Sequence, residues 1–322
     1  MNTCRVNASV AMCTFNGARF LAEQLCSIAS QTFVPAELVI CDDASTDGSI
    51  SVIRDFSRHA LFPVRLFQNK TRLGPAKNFE KAIQLCKGEI IFLCDQDDVW
   101  QPYKIERMID ALDKNPQAIY AFSNAEMIDE LGKPLGQTLW DAVDLSRRLE
   151  TFLGAGQLEI LLKHNIVTGA TMAFRSSFRD VALPISTDWM HDHWIVLLGS
   201  ALSSGIPVAE PLLKYRRHAT QVCGWRKHTF WQVCMESLNA RAEDWTGKVE
   251  NFRKLVDRVE SSPLECPPDR IALLREKELH LVTRSSSRGS NGFRRIARVL
   301  AEATTGRYHR FSDSWYSIVR DL

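Results

Sequence analysis

Over the first 125 residues the chain switches repeatedly between short apolar runs and helical stripes. Ala8-Ser9-Val10-Ala11-Met12-Cys13 fits a buried parallel strand. Beyond Asn16-Gly17, the residues Leu21, Leu25 and Ile28 mark a helix ending near Gln31. Glu37 to Cys41 reads as a second strand, and Asp47 to Arg58 as a helix with Ile50, Ile53 and Phe56 on one side. Val64 to Gln68 is a third strand. Gly74 to Lys87 places Phe79, Ala82, Ile83 and Cys86 on one helical face, and Glu89 to Cys94 is a fourth strand. Pro102 stands where a helix start favours proline. Alternation with short links predicts an α/β fold, a mostly parallel sheet flanked by helices and joined by right-handed crossovers.

Such sheets bind ligands beyond the carboxyl ends of their strands. Three polar clusters fall there: Thr14-Phe15-Asn16, Asp42-Asp43 and Asp95-Gln96-Asp97-Asp98. Asp95, Asp97 and Asp98 repel one another unless a cation sits among them. Oxygen-rich clusters of this kind suit Mg²⁺ or Mn²⁺, which use one or two carboxylates plus substrate phosphates. A G-x-G-x-x-G loop and a Walker lysine motif are both missing, so a diphosphate would be held through the metal. Asp43 can accept a hydrogen bond from a base N–H, which selects uracil or thymine. Asp47 reads as a helix cap.

From about 126 to 165 the pattern weakens, with a turn at Asp129-Glu130-Leu131-Gly132-Lys133-Pro134. Val167 to Arg175 is apolar enough for a strand, and Pro207-Val208-Ala209 for an edge strand leading into Tyr215-Arg216-Arg217-His218. Between them Trp189-Met190-His191-Asp192-His193-Trp194 precedes the stripe Ile195, Leu198, Leu202. Asp192 at a helix start has two readings, a partner of the helix dipole or a base for a hydroxyl proton. His191 and His193 read as packing or acceptor contacts, and Arg216 and Arg217 as phosphate partners. The expected division is a sheet-based unit at 1–225, with halves at 1–125 and 126–225, and a helical C-terminal region at 226–322.

The whole chain of 322 residues carries 45% apolar and 24% charged residues with a formal net charge of +2. That balance argues against a general nucleic-acid binder. No run of 18 apolar residues and no signal-peptide pattern occur, and the nine cysteines contain no Cys-x-x-Cys pair. These features predict a soluble cytoplasmic protein. Charge is uneven, however: Arg284 to Arg310 holds seven arginines and one acid, Glu302. Arg294 to Leu300 has two readings, a solvated basic helix or a helix on the inner face of the cell membrane with Ile296 and Leu300 toward lipid. Ser285-Ser286-Ser287 and Gly289 to Gly292 read as a flexible link.

The ordered set Ala11 to Gly17, Gln31-Thr32-Phe33, Val39 to Ser49 and Asp95-Gln96-Asp97-Asp98-Val99-Trp100 resembles glycosyltransferase family 2 over roughly residues 8 to 225. The Asp-Gln-Asp-Asp-Val-Trp form is most similar to its rhamnosyltransferase-like branch. That resemblance implies the Rossmann-like GT-A fold, a nucleotide-sugar donor and a divalent cation. It places Thr14, Asn16 and Asn78 at the nucleotide, Asp43 at the base, and Asp95 at ribose or metal. Asp97 and Asp98 would meet the diphosphate as metal ligands, with His218 of the Tyr-Arg-x-His segment beside them and Asp192 as the base. The expected activity is inverting transfer of a sugar, rhamnose by the branch, from a dTDP- or UDP-sugar to a hydroxyl of a growing, lipid-linked surface glycan. A sugar nucleotidyltransferase and a noncatalytic nucleotide-sugar-binding assembly subunit are the rival readings. The absent Gln-x-x-Arg-Trp motif disfavours a processive synthase.

Overall fold

The computed structural model describes residues 6–154, 156–219, 245–290 and 292–322. The first half is built as the apolar runs dictate: β1 (Ala8–Thr14), α1 (Ala18–Ala29), β2 (Glu37–Asp42), α2 (Ser49–Ser57), β3 (Val64–Gln68), α3 (Pro75–Leu85) and β4 (Ile90–Cys94). There follow β5 (Val99–Trp100), α4 (Lys104–Asp113), β6 (Tyr120–Ile128), β7 (Pro134–Thr138) and three short helices, α5 (Leu139–Ala142), α6 (Leu145–Leu153) and α7 (Gln157–Lys163). The sheet-bearing part closes with β8 (Met172–Arg175), α8 (Arg179–Ala182), α9 (His191–Leu202) and β9 (Gly205–Arg216). Among the described residues five helices follow: α10 (Trp245–Glu260), α11 (Pro268–Arg288), α12 (Gly292–Thr304), α13 (Arg307–Phe311) and α14 (Trp315–Asp321).

One nine-stranded sheet runs β3-β2-β1-β4-β8-β6-β9-β5, with β7 paired to β6. The β3-β2-β1-β4 half is parallel throughout. β8 then enters antiparallel between β4 and β6, which lets the second half adopt its own direction. Because side chains alternate across a strand, each central strand feeds two cores. Val10, Met12, Leu38, Ile40, Ile90 and Phe92 pack with α1 and α4, whereas Ala11, Val39, Ile91 and Leu93 pack with α3 and α9. The second core also takes in Trp245, Val249, Phe252 and Leu255 of α10, so the C-terminal helices share their interior with the sheet. The expected boundary at 225/226 lies outside the described residues.

Three expectations are corrected and one is extended. Among the described residues the segment at 207–209 pairs only with β6, as an edge does, but it belongs to a longer strand: β9 is twelve residues long and meets β5 at Leu213 and Lys214, a continuity that Pro207 and Pro211 disguise in the sequence. Only Met172–Arg175 of the expected 167–175 strand is extended, because Gly169–Thr171 forms a single 3₁₀ turn. Pro102 lies in the turn before α4, which begins at Lys104. Ser285 to Ser287 is helical rather than a link, since the Ser287 hydroxyl donates back to the Thr283 carbonyl and Arg284 is buried beside it. Among the described residues no helix is long and apolar enough to cross a membrane.

The C-terminal helices are tied together by a buried ionic network. Asp321, fully buried, accepts from Arg284 Nε at 2.5 Å, Arg288 Nη2 at 2.7 Å and the Tyr308 hydroxyl at 2.8 Å. Burial alone would raise its pKa, yet the hydrogen bonds from Arg284, Arg288 and Tyr308 hold the carboxyl below the ordinary value. Its contribution is therefore complete above about pH 3.9 and is lost as the pH falls through the lowered native pKa. Asp321→Ala leaves buried guanidinium charge unpaired and is expected to cost about 3–5 kcal/mol in urea unfolding. Asp55→Ala, which breaks a pair whose side chains are 70% and 65% exposed, should cost under about 1 kcal/mol. Equal effects from the two would contradict this account of the bundle.

Candidate active site

The parallel register brings the strand ends together. Thr14 sits opposite Asp42 and Met12 opposite Cys94, so the polar residues that follow β1, β2 and β4 share one rim. The Thr14 hydroxyl donates to Asp42 at 2.7 Å, and Asp42 also accepts from the Ser45 amide and hydroxyl. Asn16 adopts a left-handed backbone (φ 48°) that asparagine tolerates, and its Oδ1 accepts from the Thr46 amide at 2.9 Å. The N-cap of α2 is Gly48 rather than the expected Asp47, which stands one residue earlier; its carboxylate accepts from Ser49 N at the start of α2 and from Ala18 N at the start of α1. Thr14 and Asn16 thus brace the loops that form the mouth of the rim.

Asp43 is buried and accepts from Leu73 N at 2.7 Å, Gly74 N at 2.9 Å and Asn69 Nδ2 at 2.9 Å. A carboxylate offers about four acceptor positions, so these three donors leave one, on Oδ2. Asn78 donates to the Cys41 carbonyl and accepts from Asn69, which commits both ends of its amide within the protein. Together these bonds fold the 69–74 segment over the end of β2.

The acidic cluster after β4 is crowded. Asp98 is 1% exposed; its Oδ1 accepts from Arg216 N at 3.0 Å, while its Oδ2 is buried with no hydrogen-bond partner. Asp97 Oδ2 lies 2.7 Å from His218 Nε2. Burial, followed by the charge of Asp97 and then of Asp192, pushes Asp95 up to about 7. Burial, Asp97 and Asp95 likewise raise Asp98 well above the usual carboxylate range. These mutual effects bring Asp95, Asp97, Asp98 and Asp192 into one electrostatic site.

Lys104 answers part of that charge, and sequence reasoning missed it. It is fully buried, donates to the Ala170 carbonyl at 2.6 Å and lies 3.8 Å from the Trp100 ring centroid. Burial lowers its pKa to about 7, against the attraction of Cys94, Asp98 and Asp95. A signal existed: Lys104 falls on the apolar stripe of Ile105, Met108, Ile109 and Leu112, where a lone lysine needs a buried partner. Gln96 was also missed. Its amide accepts from Phe15 N and donates to Phe15 O, clamping the first strand end to the acidic turn. Gly17 makes room for this, since a Cβ there would stand 2.1 Å from Gln96 Oε1.

Arg216 does not serve as the phosphate partner expected of it. It is 2% exposed and its guanidinium is occupied by the Asp97 carbonyl at 2.8 Å and Glu23 at 2.6 Å, over the face of Phe20. A buried arginine with these partners holds β9 against the acidic turn, leaving little for a ligand.

Asp192 occupies the first turn of α9. Its Oδ1 accepts from Asn165 Nδ2 at 3.2 Å and His193 N at 2.6 Å, and its Oδ2 from Gly169 N at 3.1 Å. The 3₁₀ turn that interrupts the expected strand supplies the Gly169 amide, so that departure is also what orients the carboxylate. His193 Nε2 lies 3.2 Å from the Leu161 carbonyl, as packing requires. His191 stacks on Phe79 with centroids 3.8 Å apart, and burial lowers its pKa.

Among the described residues no group of three or more His, Cys, Asp or Glu is arranged to enclose a metal ion. A protein cage is not what Mg²⁺ or Mn²⁺ needs when phosphate oxygens complete the shell. The partnerless Asp98 Oδ2 and the Asp97–His218 pair fit an ion of that kind.

Residues 9–181 match the description Glycosyl transferase family 2. The chain belongs to that family. Among its relatives, the dTDP-rhamnosyl transferase RfbG of Shigella flexneri is 33% identical over 114 residues, 34% of this chain and 39% of that protein. Two solved glycosyltransferases have the same GT-A fold. The S. aureus TarS fragment 1–349 in complex with UDP-GlcNAc superposes with TM-score 0.60 at 14% identity, covering 98% of this chain and 88% of that one. Mannosyltransferase PcManGT from Pyrobaculum calidifontis, in complex with GDP-Man and Mn²⁺, gives 0.56 at 18% identity, covering 99% and 86%. The GT-A fold of this glycosyltransferase, its α/β sheet and its added C-terminal helices are as the sequence implied.

Proposed function

We propose that this glycosyltransferase is a metal-assisted, inverting enzyme that moves a hexose from a nucleoside-diphosphate sugar to a hydroxyl of a growing glycan. The observation that carries the reading is the partnerless, buried Asp98 Oδ2 inside a four-carboxylate site, beside the fully positioned Asp192. Asp97, Asp98 and His218 would hold a Mg²⁺ or Mn²⁺ ion, and Asp95 would stand beside it. Such an ion, when bound, supplies positive charge for a departing diphosphate. Thr14 and Asn16 shape the loop against the nucleotide, Asn78 secures the base pocket, and Asp43 offers its remaining lone pair to the N–H of uracil or thymine.

Asp192 takes the acceptor proton. The acceptor oxygen forms its bond to C1 of the sugar as the C1–O bond to the diphosphate breaks, and the hydroxyl proton passes to the carboxylate. Donors from Asn165, Gly169 and His193 hold Asp192 in one orientation, which is what a base needs for attack along a fixed line. Likeness to RfbG favours a dTDP-sugar, rhamnose, as donor. A glycan carried on a lipid is the acceptor that best matches the C-terminal surface: Phe293, Ile296 and Leu300 of α12 are 85%, 43% and 51% exposed on one helix face, flanked by Arg294 and Arg298. Apolar residues bordered by arginines complement an anionic bilayer, which supports a peripheral contact with the membrane.

Asp98→Ala should abolish Mn²⁺-dependent binding of UDP or dTDP in calorimetry, and unchanged binding removes the metal assignment. Asp192→Asn should keep donor affinity while turnover falls by roughly 10²–10⁴-fold, whereas near-normal turnover moves the base elsewhere. Ile296→Ser/Leu300→Ser should release the protein from phosphatidylglycerol vesicles in a sedimentation assay; equal pelleting of both forms refutes the membrane face.

A further inference from the structure

Lys104 and Asp192 both bond to the same short segment. The 3₁₀ turn Gly169–Thr171 receives the Lys104 ammonium on its Ala170 carbonyl at 2.6 Å and gives its Gly169 amide to Asp192 Oδ2 at 3.1 Å. The two bonded groups belong to adjacent residues, so any movement of one carries the other with it. A three-residue turn of this type does little to fix itself, because its own hydrogen bonds are few and poorly aligned. Within it the Thr171 amide and hydroxyl both donate to the Thr168 carbonyl, which closes the loop but leaves its orientation to the groups around it.

Those groups leave the turn little slack. Gly169, Ala170 and Thr171 are all buried. A Cβ on Gly169 would stand 2.7 Å from His191 Nε2 and 3.5 Å from the Asp192 Cβ, so the first turn of α9 presses directly on the segment. His191 is in turn stacked on Phe79 of α3. From α4, Lys104 brings its ammonium to Ala170 at the first helical position, fully buried and over the face of Trp100. A lysine buried there costs more desolvation than a methionine of similar length, so packing alone does not account for it. What the ammonium adds is a charge-assisted hydrogen bond to a backbone carbonyl, shielded from competing water. Its charge also attracts Asp98 and Asp95, so a role limited to charge is the rival that the test must separate.

We infer, resting on the reading of Asp192 as the base, that Lys104 is a positioning residue: through the Ala170 carbonyl it fixes the Gly169–Thr171 turn, and the turn sets the direction in which the Asp192 carboxylate faces. A catalytic group displaced by about 1 Å loses on the order of 10²-fold in rate, so a loosened turn is felt in the chemical step. Donor binding has no such dependence on Lys104. Removing a cation from beneath Asp95 and Asp98 strengthens their attraction for another cation, so a role limited to charge predicts tighter Mn²⁺ binding with the turn unaltered.

Wild type, Lys104→Met, Asp192→Asn and the double variant are compared as full-length proteins. Amide hydrogen exchange, read by mass spectrometry without metal or substrate, should be at least about tenfold faster over 169–171 in Lys104→Met, with β1 and β2 unchanged. Mn²⁺-dependent dTDP binding in calorimetry should be retained, while kcat for dTDP release from dTDP-rhamnose falls by at least about tenfold. In the Asp192→Asn background the same substitution should cost less than about twofold, because a residue that acts through the base has nothing left to position. Independent effects would multiply instead. Unchanged exchange over 169–171, a turnover loss of equal size in both backgrounds, or a loss confined to Mn²⁺-dependent dTDP affinity overturns the proposal. Collapse of turnover in Asp192→Asn beside normal turnover in Lys104→Met overturns it and leaves the base in place. Normal turnover in Asp192→Asn removes the base, and the positioning role with it. If Lys104→Met does not fold, Lys104→Gln decides by the same readings, since its amide is one atom too short to replace the ammonium at Ala170.

Discussion

The constraint on which the rest of the site depends is carboxylate crowding at the carboxyl end of β4. Asp95, Asp97 and Asp98 leave a buried strand within four residues, and Asp192 adds a fourth charge from α9. In a low-dielectric interior such a group survives only if cations and hydrogen-bond donors are built around it. Lys104 supplies charge from beneath, the Arg216 amide meets one oxygen of Asp98, and His218 meets Asp97. One oxygen of Asp98 is left over. The same compensation that allows the cluster to fold therefore keeps a defined vacancy in its hydrogen bonding, and the chemistry proposed for the enzyme uses that oxygen.

This arrangement also explains the second half of the sheet. β9 is held against β5 and β6, and its last residue, Arg216, reaches from the strand to the Asp97 carbonyl and to Glu23 of α1. An arginine that closes the architecture at this point fixes where His218 stands two residues later. Packing thus determines site geometry: the strand that completes the sheet also delivers a candidate metal ligand.

The parallel half was legible because β1, β2 and β4 are nearly unbroken apolar runs, which sterically and energetically suit a strand covered on both faces. The order of polar clusters after those runs was enough to place Asp43 and the acidic turn on one rim. β9 was not legible, since Pro207, Glu210 and Pro211 interrupt its pattern and only its pairing with β6 reveals one strand. Position, not residue type, decided the fate of the basic residues. Arg216 and Lys104 are buried within the protein's own charge network, and neither fact follows from local periodicity without the sheet. Ser285 to Ser287 misled for a related reason: serine composition suggests a link, but buried contacts from Arg284 and backbone-directed hydroxyls keep the helix running.

The most direct test is crystallographic. Crystals of the full chain soaked with dTDP or UDP and Mn²⁺ should show an anomalous peak beside Asp98 Oδ2, with the diphosphate on its open side and the base against Asp43. An ordered nucleotide elsewhere, or manganese bound away from the Asp97, Asp98 and His218 side chains, would contradict the account.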